Sequence, residues 1–174
     1  MNRGDNLLEI KSFSNLENTY RVYHGSNLTI KKPKILTSGF TKDFGFAFYV
    51  TKIQKQVERW ALQRSRKTKS VGFVSVYEFT INSSLNILKF EKMTEAWLDF
   101  IIACRNGEKH NYDIVEGPMA DDQVYNWITL FLEGDISREA FWELTKFKYP
   151  THQLALCSEE SLNCIKFVED YKYE

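Results

Sequence analysis

The sequence predicts an α+β fold, on three observations. The first half carries short runs rich in aromatic and β-branched residues with alternating character. The second half carries apolar stripes at helical spacing. The two kinds of segment do not follow one another as regular strand–helix–strand units. With 174 residues, 43% hydrophobic and 26% charged, the chain fits one domain, 1–174, that buries a sizeable core.

The elements follow in order. YRVYHG (20–25) reads as a strand with Tyr20, Val22 and His24 on one face. FAFYVT (46–51) is a second, preceded by the turn signal TSG at 37–39 and by Asp43 and Gly45. A helix is expected over 52–66, where Ile53, Val57, Trp60 and Ala61 share a stripe that Arg64 continues. Lys52, Lys55, Arg59, Arg66 and Lys67 give its other side the character of a solvated face. VGFVSVYEFT (71–80) is the clearest strand, and LNILKF (85–90) follows the NSS turn at 82–84. Trp97, Ile101 and Cys104 mark a helix over 94–105, stopped by Asn106-Gly107.

YDIVEGPM (112–119) reads as a strand that ends at Pro118. A helix over 121–133 aligns Val124, Ile128 and Phe131 and stops at Gly134. Ser137 caps the next, with Ala140, Phe141 and Leu144 inward. HQLALCS (152–158) is expected as the last strand. Ser158 then caps a closing helix whose Leu162, Ile165 and Val168 pack back.

Composition removes several classes. Basic and acidic residues number 23 each, but residues 1–92 hold 16 basic against 7 acidic, and the remainder the reverse. The result is a dipolar surface rather than the uniformly basic one that broad nucleic-acid binding favours. Cys104, Cys157 and Cys164 are odd in number and form no C-x-x-C pair, so neither a disulfide framework nor a zinc site is expected. No His, Cys or acidic spacing suggests any other metal. MNRGDNLLEIKSF lacks a secretory apolar stretch, and no run nears the roughly 18 apolar residues of a membrane span. A cytoplasmic protein without membrane attachment is expected. Gly-rich dinucleotide and P-loop fingerprints are absent.

Among the three histidines, His24 ends a strand beside Gly25 and Ser26, His110 lies in the polar stretch RNGEKHN as a surface residue, and His152 reads as a turn residue. Cys104 and Cys157 read as core. Asp121 and Asp122 open a helix, where Asp121 serves as an N-terminal acid. Glu78 and Glu116 read as exposed carboxylates on strands.

The blocks YHGS (23–26), KDFGFAFYVT (42–51), QKQVERWA (54–61), VSVYEF (74–79), YDIVEGPMADD (112–122) and HQLALCSEESL (152–162) form an ordered set. Together they resemble the His–Tyr–Glu/Gln branch of the ADP-ribosyltransferase superfamily. Within that branch they look like a bacterial family of which some members are toxins of toxin–antitoxin pairs. The likeness covers a core of about residues 20–168.

It implies a split antiparallel sheet with flanking helices, and NAD as a substrate whose ADP-ribose passes to a macromolecule, protein or nucleic acid, as nicotinamide leaves. A cognate antitoxin protein is the further partner it implies. By the same resemblance His24 bonds hydroxyls of NAD, the Gly25 main chain bonds the nicotinamide amide beside Ser26, Asp43 and Phe44 line the nicotinamide end, and Tyr49 stacks on the ring. Gln153 matches the residue that contacts the ribose 2′-hydroxyl and supports the cationic transition state. Because Gln153 is neutral, the acid that assists is expected to be Asp122, with Glu116 next. Two alternatives stay open: a catalytically silent NAD- or nucleotide-binding module, and an enzyme of the same fold acting on RNA phosphates.

Overall fold

A computed structural model describes residues 19–37 and 42–173. The TSG signal at 37–39 falls partly, and the segment MNRGDNLLEIKSF (1–13) wholly, outside the described residues.

Two sheets organise the chain. The first has strand order β1–β3–β7, from β1 (Thr19–Ser26), β3 (Gly72–Thr80) and β7 (Ile165–Tyr173), all antiparallel. The second has order β2–β6–β5–β4, from β2 (Phe48–Val50), β6 (Gln153–Leu156), β5 (Ile114–Gly117) and β4 (Ile87–Lys89). Its β4–β5 pair is parallel, which departs from the all-antiparallel expectation. The reason is the connection: helix α2 (Glu95–Arg105) lies between these strands and carries the chain back to the same end of the sheet.

Between the sheets Val22, Phe48, Val50, Tyr77, Phe79, Ile114, Leu154 and Leu156 form a core. Helix α1 (Gln54–Thr68) covers the outer face of the first sheet, setting Val57 and Ala61 on Val74 and Val76. Val76 and Tyr77 face opposite sides by ordinary strand alternation, and both are buried. The register shift between them, with Val168 the extra residue on β7, lets β7 turn Ile165 and Phe167 to the inter-sheet core and Tyr171 and Tyr173 to the α1 side. On the outer face of the second sheet, α2, α3 (Asp122–Glu133) and α4 (Arg138–Thr145) enclose Trp97, Ile101, Val124, Ile128 and Phe141 over Val115 and Ala155.

The helix ends follow local chemistry. Thr94, Asp121 and Ser137 accept the main-chain N–H of Trp97, Val124 and Ala140 as N-caps. Gly134 ends α3 in the left-handed region, φ 82°. The closing helix differs from expectation. Ser158 does cap a helix, α5, but it spans only Glu159–Leu162, and the chain then enters β7. Ile165 and Phe167 pack toward the inter-sheet core, while Val168 is exposed. HQLALCS is therefore the penultimate strand. Among the described residues no helix is long and apolar enough to cross a membrane.

Candidate active site

The two sheets touch where β1 passes the end of β2. Tyr23 exchanges both main-chain hydrogen bonds with Thr51, at 2.8 and 3.0 Å. Along a strand, successive residues turn their N–H and C=O to opposite sides, so Gly25 presents its peptide groups on the same side as Tyr23. Its counterpart in that register would be Tyr49, but the strands part there. Among the described residues no main-chain bond joins Gly25 to β2.

The Tyr49 carbonyl is occupied by His24, whose Nδ1 lies 2.8 Å from it. A carbonyl only accepts, so Nδ1 donates, and in the neutral ring Nε2 is left as an acceptor. Burial lowers the His24 pKa against the opposing effect of the Tyr49 bond, and the positive charges of Arg64 and Lys42 add to the lowering. The ring is thus kept neutral. It stacks on Phe48 with centroids 4.5 Å apart, which holds its plane. Among the described residues Nε2 has no partner, and none of their buried side-chain polar atoms lacks one, so this nitrogen is not fully enclosed by them.

Gly25 has a further requirement. A Cβ there would lie 2.7 Å from the Val57 carbonyl oxygen and 2.9 Å from Val57 Cγ2. The missing side chain therefore makes room for α1 on one face of β1, while the peptide edge is what opens toward the sheet junction. Ser26 ends the strand half-buried, its hydroxyl 3.4 Å from Asn27 Oδ1.

Tyr49 points to the other face of the second sheet. Its hydroxyl accepts from the Phe44 N–H at 3.1 Å and donates to the Gly45 carbonyl at 2.7 Å. Burial pushes its pKa up, so it stays a phenol. These bonds hold the turn at 43–46, which needs the left-handed conformation of Gly45, φ 79°. Phe44 is fully buried in the helix-side core.

Asp43 is buried in the same region. Its Oδ1 accepts from Arg105, with Nε at 3.0 Å and Nη2 closer still; its Oδ2 accepts from the Ala120 N–H at 2.7 Å and from Gln153 Nε2 at 2.9 Å. Gln153, buried at the start of β6, also donates to the Pro118 carbonyl at 3.3 Å. Two acceptors on one side of the amide identify that side as its NH₂ group. Gln153 Oε1 therefore points the other way, and among the described residues it has no partner.

The remaining candidates stand apart. Asp122 is exposed in the first turn of α3, without a hydrogen-bond or ion-pair partner among the described residues. Asp121 caps α3 as expected and pairs with Lys148. Glu78 is exposed, as expected, but Glu116 is not: its carboxylate takes Lys52 Nζ at 2.7 Å and His152 Nε2 at 3.0 Å. Burial would raise its pKa, but these two partners outweigh that and hold it at about 2, which makes it a weak base. His152 is no simple turn residue, since its Nδ1 also accepts the Lys52 N–H at 3.2 Å. Nor is His110 a surface residue. Its Nδ1 accepts the Tyr112 N–H and its Nε2 donates to the Phe44 carbonyl at 3.0 Å. Burial pushes the Cys104 thiol to about 11 and the Cys157 thiol to about 12, which suits core cysteines rather than nucleophiles.

Sequence reasoning missed Arg105 and Gln56. The buried Gln56 side chain takes both main-chain groups of His152, at 2.7 and 3.1 Å, and so sets the entry to β6 next to Gln153. Its place in QKQVERWA was the available signal, read there as a block of the resemblance and for its apolar stripe, with no role given to Gln56.

A family model described as protein of unknown function (DUF3990) matches residues 20–167. No curated protein and no solved structure matches the chain.

Proposed function

We propose that this chain, which belongs to the DUF3990 family, is an NAD-dependent ADP-ribosyltransferase with the split-sheet fold of that superfamily. The observation that carries the reading is the open peptide edge of Gly25 beside the acceptor nitrogen of a neutral His24. A strand edge offers one N–H and one C=O side by side, the complement of a carboxamide such as that of nicotinamide. Nε2 offers a lone pair to a ribose hydroxyl. Gln153 Oε1 offers a second acceptor, and its fixed amide orientation suits a 2′-hydroxyl donor.

In the reaction the bond between ribose C1′ and the nicotinamide nitrogen breaks, and its electron pair neutralises the pyridinium. An acceptor nucleophile adds to the oxocarbenium-like C1′ and loses a proton, giving nicotinamide, the ADP-ribosylated acceptor and H⁺. The neutral His24 adds no positive charge beside the cation that develops, and Tyr49, its hydroxyl held by the turn at 44–45, is the ring that the resemblance assigns to nicotinamide stacking. The acceptor is a protein or nucleic acid of the cytoplasm, and a toxin held in check by a cognate antitoxin is the setting in which such an activity fits. Chemistry at this site needs no metal.

A second reading, a catalytically silent NAD-binding module, draws on the neutral Gln153 and the isolated Asp122. One experiment separates the two: labelled NAD incubated with the protein and host-cell lysate, beside His24→Ala and Gln153→Ala. Label on macromolecules together with nicotinamide release, lost in both variants, is the expected result. NAD binding that depends on His24 without any release would leave the silent module.

A further inference from the structure

Gln153 occupies a place where an acidic side chain would be the more effective partner for a cation, yet it is an amide. Its surroundings explain why. Among the described residues, every hydrogen-bond partner of the Asp43 carboxylate is a donor: two guanidinium nitrogens, a main-chain N–H and the Gln153 amide. The side of residue 153 that faces Asp43 Oδ2 and the Pro118 carbonyl must therefore donate. A carboxylate there would set three acceptors against one another with no proton between them.

We propose that Asp43 and Gln153 act as one unit, in which Asp43 is a positioning residue that dictates an amide at 153 and turns its Oε1 toward the ribose. This rests on the reading of the site as one for NAD. Asp43 is then no direct contact of the nicotinamide end. It works through Gln153, while Arg105 from α2 and the Ala120 N–H ahead of α3 hold it in place. Three distant segments converge on that single carboxylate: the end of α2, the loop before α3 and the start of β6. The amide orientation is thereby set before any ligand arrives.

The test places Gln153→Glu in the wild-type and in an Asp43→Asn background, reading nicotinamide release, NAD affinity by calorimetry, and thermal unfolding against pH. Gln153→Glu alone puts a carboxylate where the cation would develop, yet it should cut release by about tenfold or more and lower the melting temperature at neutral pH, with recovery on acidification as the two carboxyls come to share a proton. Arg105 is the cation that faces the pair; Cys104 and Tyr49 are the other titratable neighbours, and burial keeps both protonated in this range. In the Asp43→Asn background the same change should cost several-fold less, a non-additivity of about 1.4 kcal/mol per tenfold.

Equal losses in both backgrounds, or faster release from Gln153→Glu alone, would overturn the proposal. If Asp43→Asn does not fold, the pH dependence of Gln153→Glu decides, and a melting temperature that does not recover in acid overturns it. A wild-type protein that neither binds NAD nor releases nicotinamide would instead refute the NAD reading, whatever the stability cycle gives, and with it the ligand-facing half of this unit.

Discussion

His24 and His152 both hydrogen-bond the main chain around β2, from opposite sides, and they end in opposite states. His152 spends both ring nitrogens, one on the Lys52 N–H and one on Glu116, and the Glu116 carboxylate is shared with Lys52. His110 is likewise spent at both ends, on Tyr112 and Phe44. Among the described residues His24 spends only Nδ1 and keeps Nε2 as an acceptor beside an open peptide edge. The same distinction separates two acidic centres, the half-buried Glu116 and the buried Asp43. Around Glu116 the polar groups pair with one another; around Asp43 they pair so that, among the described residues, Gln153 Oε1 is left over. A saturated polar cluster holds a fold together. A cluster that leaves one oriented lone pair has something to offer a ligand.

The contrast can be broken by substitution. His24→Ala should lower nicotinamide release by about a hundredfold or more, the scale of losing one preorganised polar contact in a transition state, with a small change in melting temperature. A comparable loss of release from His110→Ala, in protein that still melts like the wild type, would erase the distinction.

Glu116→Gln should do the opposite. It removes the partner of Lys52 and His152 and should destabilise the fold by at most about 3 kcal/mol near neutral pH, given roughly 1.4 kcal/mol per unit between the unfolded value and about 2, while NAD affinity stays unchanged. Because the folded pKa is depressed, this stability is complete above the unfolded value of 4.5 and disappears as pH falls toward 2. Denaturant titrations across that window should show the two proteins converge.

Gly25→Ala sharpens the account of which face of β1 the glycine serves. With Val57 at 2.7 Å from the new Cβ, α1 must shift, and a loss of about 1–3 kcal/mol in denaturant unfolding is expected. Stability equal to the wild type would mean that the space belongs to something other than α1. The smallest effect concerns pH. His24 must be neutral to accept, so NAD affinity should be flat above the ordinary histidine value of 6.5 and fall only in acid, as pH drops through the lowered His24 value. Affinity that rises on acidification would contradict a neutral His24.

Much of this was legible in the chain. Asp121 and Ser137 at helix starts, the stops at Asn106-Gly107 and Gly134 and the apolar stripes placed α2, α3 and α4 within a residue or two, because helix ends are decided by local chemistry. β7 was not legible. Leu162, Ile165 and Val168 are spaced as a helix would space them, while the strand that forms is a half-exposed edge with Lys166, Glu169 and Asp170 on it, so its alternation is weak. The parallel β4–β5 pairing depends on a crossover that no local pattern encodes. At the site, His24, Gly25, Tyr49 and Gln153 stood out in ordered blocks. Arg105 on Asp43 and Gln56 on His152 join residues 62 and 96 positions apart, and nothing short-range in the sequence pairs them.

The central claim is that Gly25 and His24 Nε2 form an open hydrogen-bonding edge for NAD. Titrating NAD into ¹⁵N-labelled protein and following the Gly25 amide and the ring nitrogens of all three histidines tests it most directly. The account predicts shifts of the Gly25 amide and of His24 Nε2 that saturate together, with His110 and His152 unmoved. Saturable binding that shifts His110 or His152 and leaves Gly25 and His24 in place would contradict it.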